Sequence, residues 1–393
     1  MSVRILQGDC RAVLPTLAAD SIHCCVTSPP YFGLRNYGAD GQIGLEETPD
    51  AYVAEMVAVF REVRRVLRPD GTLWLNLGDS YAGGGCGARD EARWPKQSRN
   101  DHMARHAKRN AGCKPKDLIG IPWMVAFALR ADGWFLRKDI IWHKPNPMPE
   151  SVFDRPTSAH EHVFLLTKSG RYAYDGGAIA EGAVGRNAHD LTGGRYAPVG
   201  QPAHTGTRQA PVDGLDGTRN ARDVWTIATQ PFAGAHFATM PPELAARCIR
   251  AGAPEGGCCE HCGTPFKRVI ERGEANLDRQ RACGGDASGG YAGQSTKGHA
   301  AAGVQDASDV KRRILAGMVE KRTTGWRPLC ACVGAARRRC TVLDPFGGAG
   351  TTALVADRLG RDAVHVELNP SYAAMARERL AGDAGMFFAG AAE

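Results

Sequence analysis

Five consecutive residues, Thr27-Ser28-Pro29-Pro30-Tyr31, could hold and orient a planar ring that carries an amino group. The Ser28 hydroxyl and the Pro29 carbonyl oxygen can accept hydrogen bonds from amino hydrogens, which would localise the nitrogen lone pair. Two prolines stiffen the backbone and remove competing N–H donors, and Tyr31 offers a face for stacking. The same tetrapeptide can also be a simple turn, so its meaning depends on its neighbours.

A second group of residues that could do chemistry lies far along the chain, after residues 341–343. It comprises an aspartate, a Pro-Phe dipeptide, a glycine-rich turn and a threonine: Asp344, Pro345, Phe346, Gly348, Gly350 and Thr351. A helix predicted over Thr351–Leu359 would turn backbone N–H groups and its dipole toward an anion. Glu367 ends the next predicted strand, where a carboxylate can accept both hydroxyls of a ribose. The glycines also fit the GxGxxA pattern, so a nicotinamide enzyme is an alternative.

The elements that must position these residues alternate between strands and helices, which predicts an α/β fold with a mainly parallel sheet. Apolar periodicity and turn residues predict strands at Val3–Leu6, Ile22–Val26, Thr72–Leu77, Trp134–Trp142, His162–Thr167 and Ala363–Val366. They predict helices at Ala12–Leu17, Ala51–Leu67, Ile121–Ala131, Glu243–Ala251 and Ser371–Leu380, with Pro69-Asp70-Gly71 ending the second.

The glycine-rich turn falls late in the chain, so little sheet could follow it unless the N-terminal strands complete the fold. Taken circularly, residues 341–381 followed by residues 3–31 form a conventional nucleotide-binding half. We therefore expect a Rossmann-like fold that is circularly permuted, with the Ser28 loop before the glycine-rich loop.

Together the two loops resemble those of the DNA amino-methyltransferases, whose β class places the catalytic loop before the loop for S-adenosylmethionine (AdoMet). The segments 41–44, 74–79, 142–146 and 160–162 also resemble bacterial and phage β-class enzymes. The similarity covers roughly residues 1–82, 117–175, 223–254 and 341–381, and it implies a Rossmann-like AdoMet-dependent methyltransferase fold.

The resemblance implies roles for individual residues. The catalytic residues would be Ser28, Pro29, Pro30 and Tyr31, acting on a flipped base by direct transfer from AdoMet. Asp9 would contact the adenine of AdoMet, and the segment 236–241 would line its methionine end, although a plain helix-entry turn is equally compatible. The full set of cofactor-binding residues is then Asp9, Phe237, Ala238, Asp344, Pro345, Phe346, Gly348, Gly350, Thr351, Glu367 and Asn369. Lys144 and Asn146 could contact the base or a phosphate, or be structural.

Serine at the first loop position resembles the N4-cytosine enzymes, so cytosine N4 is the expected target and adenine N6 the alternative. Methylation of cytosine carbon 5 needs a thiolate in a Pro-Cys dipeptide, and none of the 23 prolines precedes a cysteine. Relatives that methylate protein glutamine or RNA place their two loops in the opposite order. A DNA-binding regulator without catalysis is a further alternative, against which the intact loops argue.

The charge balance favours a polyanionic partner, because 49 Lys and Arg oppose 42 Asp and Glu. Residues 83–116 hold nine basic and three acidic residues, and with residues 176–222 they are expected to form loops or target-recognition segments. The expected partner is double-stranded DNA in the cytoplasm, with no membrane segment. A homodimer and a cognate restriction endonuclease are compatible with the resemblance.

Thirteen cysteines in such a protein indicate thiols or metal ligands rather than disulfides. Cys259 and Cys262 form a metal knuckle, and Cys330 and Cys332 could complete a structural zinc site, with Cys258, His261 and Cys340 as substitutes. Unligated thiols are the alternative. The expected division is a methyltransferase domain over 1–175, 236–254 and 341–381, a recognition segment over 176–235, a cysteine-rich insert over 255–340 and a tail over 382–393.

Overall fold

The computed structural model describes residues 3–82, 113–182, 218–230, 240–275, 319–334 and 336–388. In chain order the strands are β1 (Val3–Gln7), β2 (Ile22–Thr27), β3 (Leu67–Leu77), β4 (Phe135–His143), β5 (His160–Thr167), β6 (Glu181–Gly182), β7 (Thr218–Arg219), β8 (Val224–Thr226), β9 (Cys258–Cys259), β10 (Lys267–Ala275), β11 (Val319–Arg327), β12 (Arg337–Arg338), β13 (Thr341–Asp344) and β14 (Asp362–Glu367). The α-helices are α1 (Cys10–Val13), α2 (Pro49–Val66), α3 (Ile121–Ala131), α4 (Pro242–Gly252), α5 (Thr351–Arg358) and α6 (Pro370–Phe388).

Eight strands form one sheet in the order β1-β14-β13-β2-β3-β5-β4-β8. The pairs from β1 to β3 are parallel, and β5 runs antiparallel to both of its neighbours. Two strands from the C-terminal part of the chain therefore lie between β1 and β2. This is the neighbour relation predicted for Val3–Leu6, and it brings the ends of β2 and β13 side by side.

Helices cover both faces of the sheet. α2 and α3 bury apolar residues such as Met56 and Val125 in a core with Leu73, Leu75 and Leu77 of β3. The opposite face of the same strand carries Trp74, against which the end of α4 packs so closely that a Cβ on Gly252 would lie 2.7 Å from the indole nitrogen. Side chains that alternate along β3 thus pack into a core on each face of the sheet, as expected for a strand buried on both faces.

The sequence prediction was wrong at the start of β3. Pro69-Asp70-Gly71 was expected to separate helix from strand, yet β3 begins at Leu67, directly after α2. The register explains this, because Ile22 pairs with Leu67 whereas Cys24 pairs with Thr72. The intervening residues bulge out of the ladder, and a bulge tolerates the proline and glycine that a regular strand excludes.

Other boundaries also shift. The first helix begins at Cys10 rather than Ala12, because the Asp9 carboxylate caps it by accepting from the Arg11 N–H at 2.8 Å, and a 3-10 turn follows over Leu14–Thr16. The last helix reaches Phe388, beyond the predicted end at Leu380. Residues 382–388 of the expected tail are therefore helical. Among the described residues no helix has the length and apolar character needed to cross a bilayer.

The chain divides into two compact units: residues 1–178, 222–267 and 327–393 in the first, and residues 179–221 and 268–326 in the second. In this division the cysteine-bearing ends of the insert belong to the first unit. Those ends pair with each other, Cys259 opposite Arg337, as β9 and β12. The second unit contains the pair β6–β7 and most of the pair β10–β11, where Arg268 stacks on Trp326 at 4.4 Å.

Candidate active site

A cavity of about 530 Å³ opens where the parallel strands of the first unit end. Both predicted loops line it, as expected for the carboxyl ends of strands in an open α/β sheet. Of the residues predicted for catalysis and cofactor binding, the cavity is lined by Asp9, Ser28, Pro29, Pro30, Tyr31, Asp344, Pro345, Phe346, Gly348, Thr351, Glu367 and Asn369. Phe237 and Ala238 lie outside the described residues.

A hydrogen bond joins the two loops directly. Thr27, the last residue of β2, donates its hydroxyl to Oδ1 of Asp344 at 2.6 Å, and the Phe346 N–H donates to the same oxygen at 3.1 Å. Burial raises the pKa of Asp344 above its usual value, while these donors partly offset the shift. Ser28 therefore starts its loop from a position tied to the start of the glycine-rich loop.

Glu367 is held in place from both sides. Its Oε2 accepts from the Gly348 N–H at 2.7 Å and its Oε1 from the Asn369 N–H at 2.7 Å. Burial raises the pKa of Glu367, and the two backbone donors oppose that shift. A carboxylate oxygen has a second lone pair, so Glu367 retains acceptor capacity toward ribose hydroxyls in the cavity.

The glycine-rich turn rests on a buried histidine of β14. A Cβ on Gly347 would lie 2.0 Å from Cε1 of His365, so no other residue fits there without moving the ring. Burial lowers the pKa of His365 to about 4, and the imidazole is therefore neutral near pH 7. The sequence analysis did not select His365, because a histidine within an apolar strand carries no distinctive spacing.

Gly350 is predicted to bind the cofactor and lies at the end of the glycine-rich turn. It does not line the cavity but caps the start of α5 with φ +80°, a left-handed conformation that favours glycine. A Cβ there would also lie 2.9 Å from the Cβ of Ala376 in α6. Gly350 thus shapes the backbone between the glycine-rich turn and α5.

Asp9 borders the cavity while its carboxylate is engaged by Arg11. The guanidinium of Arg11 donates from Nη2 to Oδ2 at 2.6 Å and from Nε to both oxygens at 3.0 Å. Burial alone would raise the pKa of Asp9, but the hydrogen bonds and charge of Arg11 outweigh it and the pKa is lowered. Gly8 donates its N–H to the Glu367 carbonyl at 2.9 Å, which fixes the end of β1 beside β14.

Four polar side chains form a network on the Ser28 side of the cavity. The Tyr31 hydroxyl donates to Oε2 of Glu161 at 2.6 Å. Nδ2 of Asn76 donates to the Tyr31 oxygen at 2.9 Å, to Oε2 of Glu161 at 2.9 Å and to the Ser28 hydroxyl at 3.3 Å. Burial first, and then the charge of Glu161, raise the pKa of Tyr31 well above its usual value. The phenol therefore stays protonated.

Lys144 completes the network by pairing with Oε1 of Glu161, and its ammonium also lies 4.6 Å from the centre of the Trp142 ring. Asn76, Trp142, Lys144 and Glu161 all line the cavity. Asn76 and Glu161 fall in segments singled out for their resemblance, yet nothing in their spacing revealed a shared network. Asn146 is instead paired with Thr229, donating to its carbonyl at 3.1 Å and accepting from its N–H at 2.9 Å.

The residues predicted to bind a metal also come together. Cys259, Cys262, Cys330 and Cys332 place their sulfur atoms within 4.8 Å of one another. The predicted substitutes lie outside this group, since Cys258 and Cys340 cluster with His23 and the His261 side chain is 61% exposed.

Comparison with known proteins identifies the family of this chain. The model of a DNA methylase family, N6/N4 methyltransferases, matches residues 22–259 and 336–378. The chain belongs to the N6/N4 family of DNA amino-methyltransferases. Type II methyltransferase M.SmaI of Serratia marcescens is 35% identical over 96% of this chain and 91% of its own length. M.XycI of Xanthomonas campestris pv. cyanopsidis is 36% identical over 96% of this chain and 87% of its own length.

A solved DNA methyltransferase shares the fold of this chain. The PvuII DNA methyltransferase, described as cytosine-N4-specific, superposes with a TM-score of 0.51 at 15% identity, covering 98% of this chain and 91% of that one. A DNA modification methylase of Thermus thermophilus, solved with S-adenosyl-L-methionine, gives a TM-score of 0.47 at 21% identity over 97% and 94%. The predicted family and the Rossmann-like fold are confirmed.

The residues in the cavity fit AdoMet. The turn at Gly347 and Gly348 brings backbone close to the cavity without a side chain, and the Glu367 carboxylate faces the same space. Asp344, Glu367 and the start of α5 would hold it. Two tyrosines, Tyr37 and Tyr372, add aromatic surface to this part of the cavity.

Proposed function

We propose that this methyltransferase modifies N4 of cytosine in double-stranded DNA, at a base flipped out of the duplex. AdoMet supplies the methyl group, which its sulfonium makes electrophilic. The amino nitrogen of cytosine is a poor nucleophile because its lone pair is delocalised into the ring. The residues of the chain therefore have to localise that lone pair and align the nitrogen.

The observation that carries the proposal is the position of Ser28. It follows β2 directly, lines the same cavity as the residues predicted to bind AdoMet, and is tied through Thr27 to Asp344. Its hydroxyl oxygen has two lone pairs, so it can accept an amino hydrogen while still receiving Nδ2 of Asn76. The Pro29 carbonyl would accept the second amino hydrogen.

The Tyr31 side chain would support the base. Its hydroxyl is held by Glu161 and Asn76, so the ring keeps a fixed orientation at the cavity wall. Base stacking on such a ring contributes roughly 1–3 kcal/mol. Lys144 lines the same cavity, and its ammonium would donate toward the ring nitrogen or the carbonyl oxygen of a pyrimidine, both of which are acceptors.

Cytosine is preferred to adenine because the first loop residue is serine, the feature shared with N4-cytosine enzymes. Nucleoside analysis tests the choice. Duplex DNA methylated by the purified chain with isotope-labelled AdoMet is digested and analysed by mass spectrometry. N4-methylcytosine is the expected product. Labelled N6-methyladenine would transfer the proposal to the alternative base, and 5-methylcytosine or unlabelled DNA would overturn the mechanism.

A further inference from the structure

Most of the cysteine-bearing insert lies outside the segments that the family model matches. The family model matches up to Cys259 and resumes at residue 336, so residues 260–335 have no counterpart in it. Three of the four clustered thiols, those of Cys262, Cys330 and Cys332, fall in this added stretch. The cluster therefore lies largely outside the segments that define the family.

The sulfur positions match one kind of metal site. Four thiolates around a tetrahedral zinc ion, each at about 2.3 Å, lie about 3.8 Å from one another. The sulfurs of Cys259, Cys262, Cys330 and Cys332 lie within 4.8 Å of one another, so a small inward movement brings them to that spacing. Four soft sulfur donors without carboxylate or water positions favour zinc in a structural rather than a catalytic role.

The backbone around the thiols is formed as two knuckles. Gly263 follows the first pair with φ +71°, and Gly334 follows the second with φ +68°, both left-handed turns suited to glycine. In the first knuckle the Gly263 N–H donates to the Cys259 carbonyl at 2.8 Å. Glu260 joins the two segments, donating its N–H to the Ala336 carbonyl at 3.0 Å and accepting from the Ala336 N–H at 3.1 Å.

Apolar packing does not account for the second knuckle. Its apolar neighbours Leu329 and Val333 are 58% and 95% exposed. A segment without buried apolar surface gains little from the hydrophobic effect, and metal binding can supply the missing stabilisation.

A neighbouring group of possible ligands is excluded by its hydrogen bonds. His23 lies near Cys258 and Cys340. Its Nδ1 accepts from the Thr341 N–H at 3.0 Å, so Nε2 carries the proton and donates to the Gly263 carbonyl at 3.0 Å. With both ring nitrogens engaged, His23 connects the first knuckle to the start of β13 instead of binding a metal.

The first knuckle is fixed to the sheet of the first unit. Besides His23 of β2, Arg68 of β3 donates from Nη1 to the Cys262 carbonyl at 2.9 Å. These contacts lie at the beginning of β2 and β13, whereas Ser28 and Asp344 lie at the ends of the same strands. The thiol cluster is thus anchored at the amino ends of these strands, whereas the cavity lies at their carboxyl ends.

We propose that Cys259, Cys262, Cys330 and Cys332 bind a structural zinc ion that fastens both ends of the insert to the methyltransferase sheet. The chain leaves the first unit after residue 267 and returns to it at residue 327. The zinc ion would therefore link the segments at which the chain leaves and re-enters the first unit. Loss of zinc should release the second knuckle and lower thermal stability without altering the AdoMet cavity.

Metal analysis of the full chain tests this directly. Protein purified under reducing conditions without chelator should contain about one zinc per chain. Cys262→Ser and Cys332→Ser should each lose it, whereas Cys113→Ser, a cysteine outside both clusters, should keep it. Replacing zinc by Co²⁺ should give the strong thiolate-to-cobalt absorption of a tetrahedral sulfur site. AdoMet affinity of the two metal-loss variants should match that of the wild type.

Three outcomes would overturn the proposal. The first is metal-free reduced wild-type protein that neither takes up Co²⁺ nor changes its melting temperature with added zinc. The second is mass spectrometry showing Cys259–Cys262 or Cys330–Cys332 disulfides in the active protein. Retention of zinc by both Cys262→Ser and Cys332→Ser would likewise move the metal away from this cluster. None of these measurements depends on which base is methylated.

Discussion

At Tyr31 the ring and the hydroxyl have separate structural tasks. The ring lies against Gly78, where a Cβ would approach Cε2 to 2.6 Å, and the hydroxyl is held by Glu161 and Asn76. From the Ser-Pro-Pro-Tyr motif we predicted that the Tyr31 ring offers a face for stacking. It did not predict the partners of the hydroxyl, because they come from β3 and β5, 45 and 130 residues away.

Two variants of Tyr31 separate these tasks. Tyr31→Ala should lower turnover by a factor of roughly 5 to 150, since stacking contributes about 1–3 kcal/mol. Tyr31→Phe keeps the ring and should lose less. A mismatch opposite the target base lowers the cost of flipping and should partly rescue Tyr31→Ala only. Single-turnover assays measure the methyl-transfer rate of each variant on matched and mismatched duplexes. Equal losses of rate for the two variants would argue against a stacking role.

A second prediction concerns His365. Burial lowers the pKa of this imidazole from 6.5 to about 4. Between these pH values the unfolded chain binds more protons than the folded one, so the free energy of unfolding falls as the pH drops through this window. The full loss is about 3 kcal/mol.

Urea unfolding at a series of pH values measures this dependence. His365→Gln, which cannot titrate, should show a smaller slope between pH 6.5 and 4. An identical slope in wild type and variant would assign the acid sensitivity to other groups.

Among the elements, agreement between sequence and structure depends on where the governing contacts lie. α3 occupies Ile121–Ala131 as predicted, because its apolar spacing is local. The bulge that lets β3 start at Leu67 depends on pairing with β2, and the extension of α6 is supported by the ion pair of Arg358 with Asp383. Neither partner is visible in the local pattern.

The glycine-rich element yields a third prediction. Gly347→Ala places a Cβ against His365, and overpacking of this kind costs about 1–3 kcal/mol. The turn should shift, and the Kd for AdoMet should rise roughly 5- to 150-fold. Gly382→Ala in α6, where an added Cβ meets nothing within 4 Å, is the control and should leave the Kd unchanged. Calorimetry that finds equal affinities would remove the turn from the cofactor site.

For the molecule as a whole, the excess of basic residues should govern DNA binding. Residues 83–112 lie outside the described part of the chain, so this prediction comes from sequence alone. Neutralising Arg105, Lys108 and Arg109 together should flatten the salt dependence, lowering the slope of log K against log salt by up to about 3. Specific and random duplexes should weaken alike, as measured by fluorescence anisotropy. An unchanged slope would mean that these side chains do not contact phosphates.

The strand order also determines how much of the chain must be translated before the sheet, and with it the active site, can fold. β1 pairs with β14, and β2 needs β13 on one side, so the strands made first wait for residues 341–367. Until the ribosome has delivered those residues, a nascent chain presents unpaired strand edges, which attract other chains. Premature termination within the insert should therefore give aggregating fragments rather than a smaller methyltransferase. Methylation of DNA by this protein therefore cannot begin before residues 341–367 have been translated.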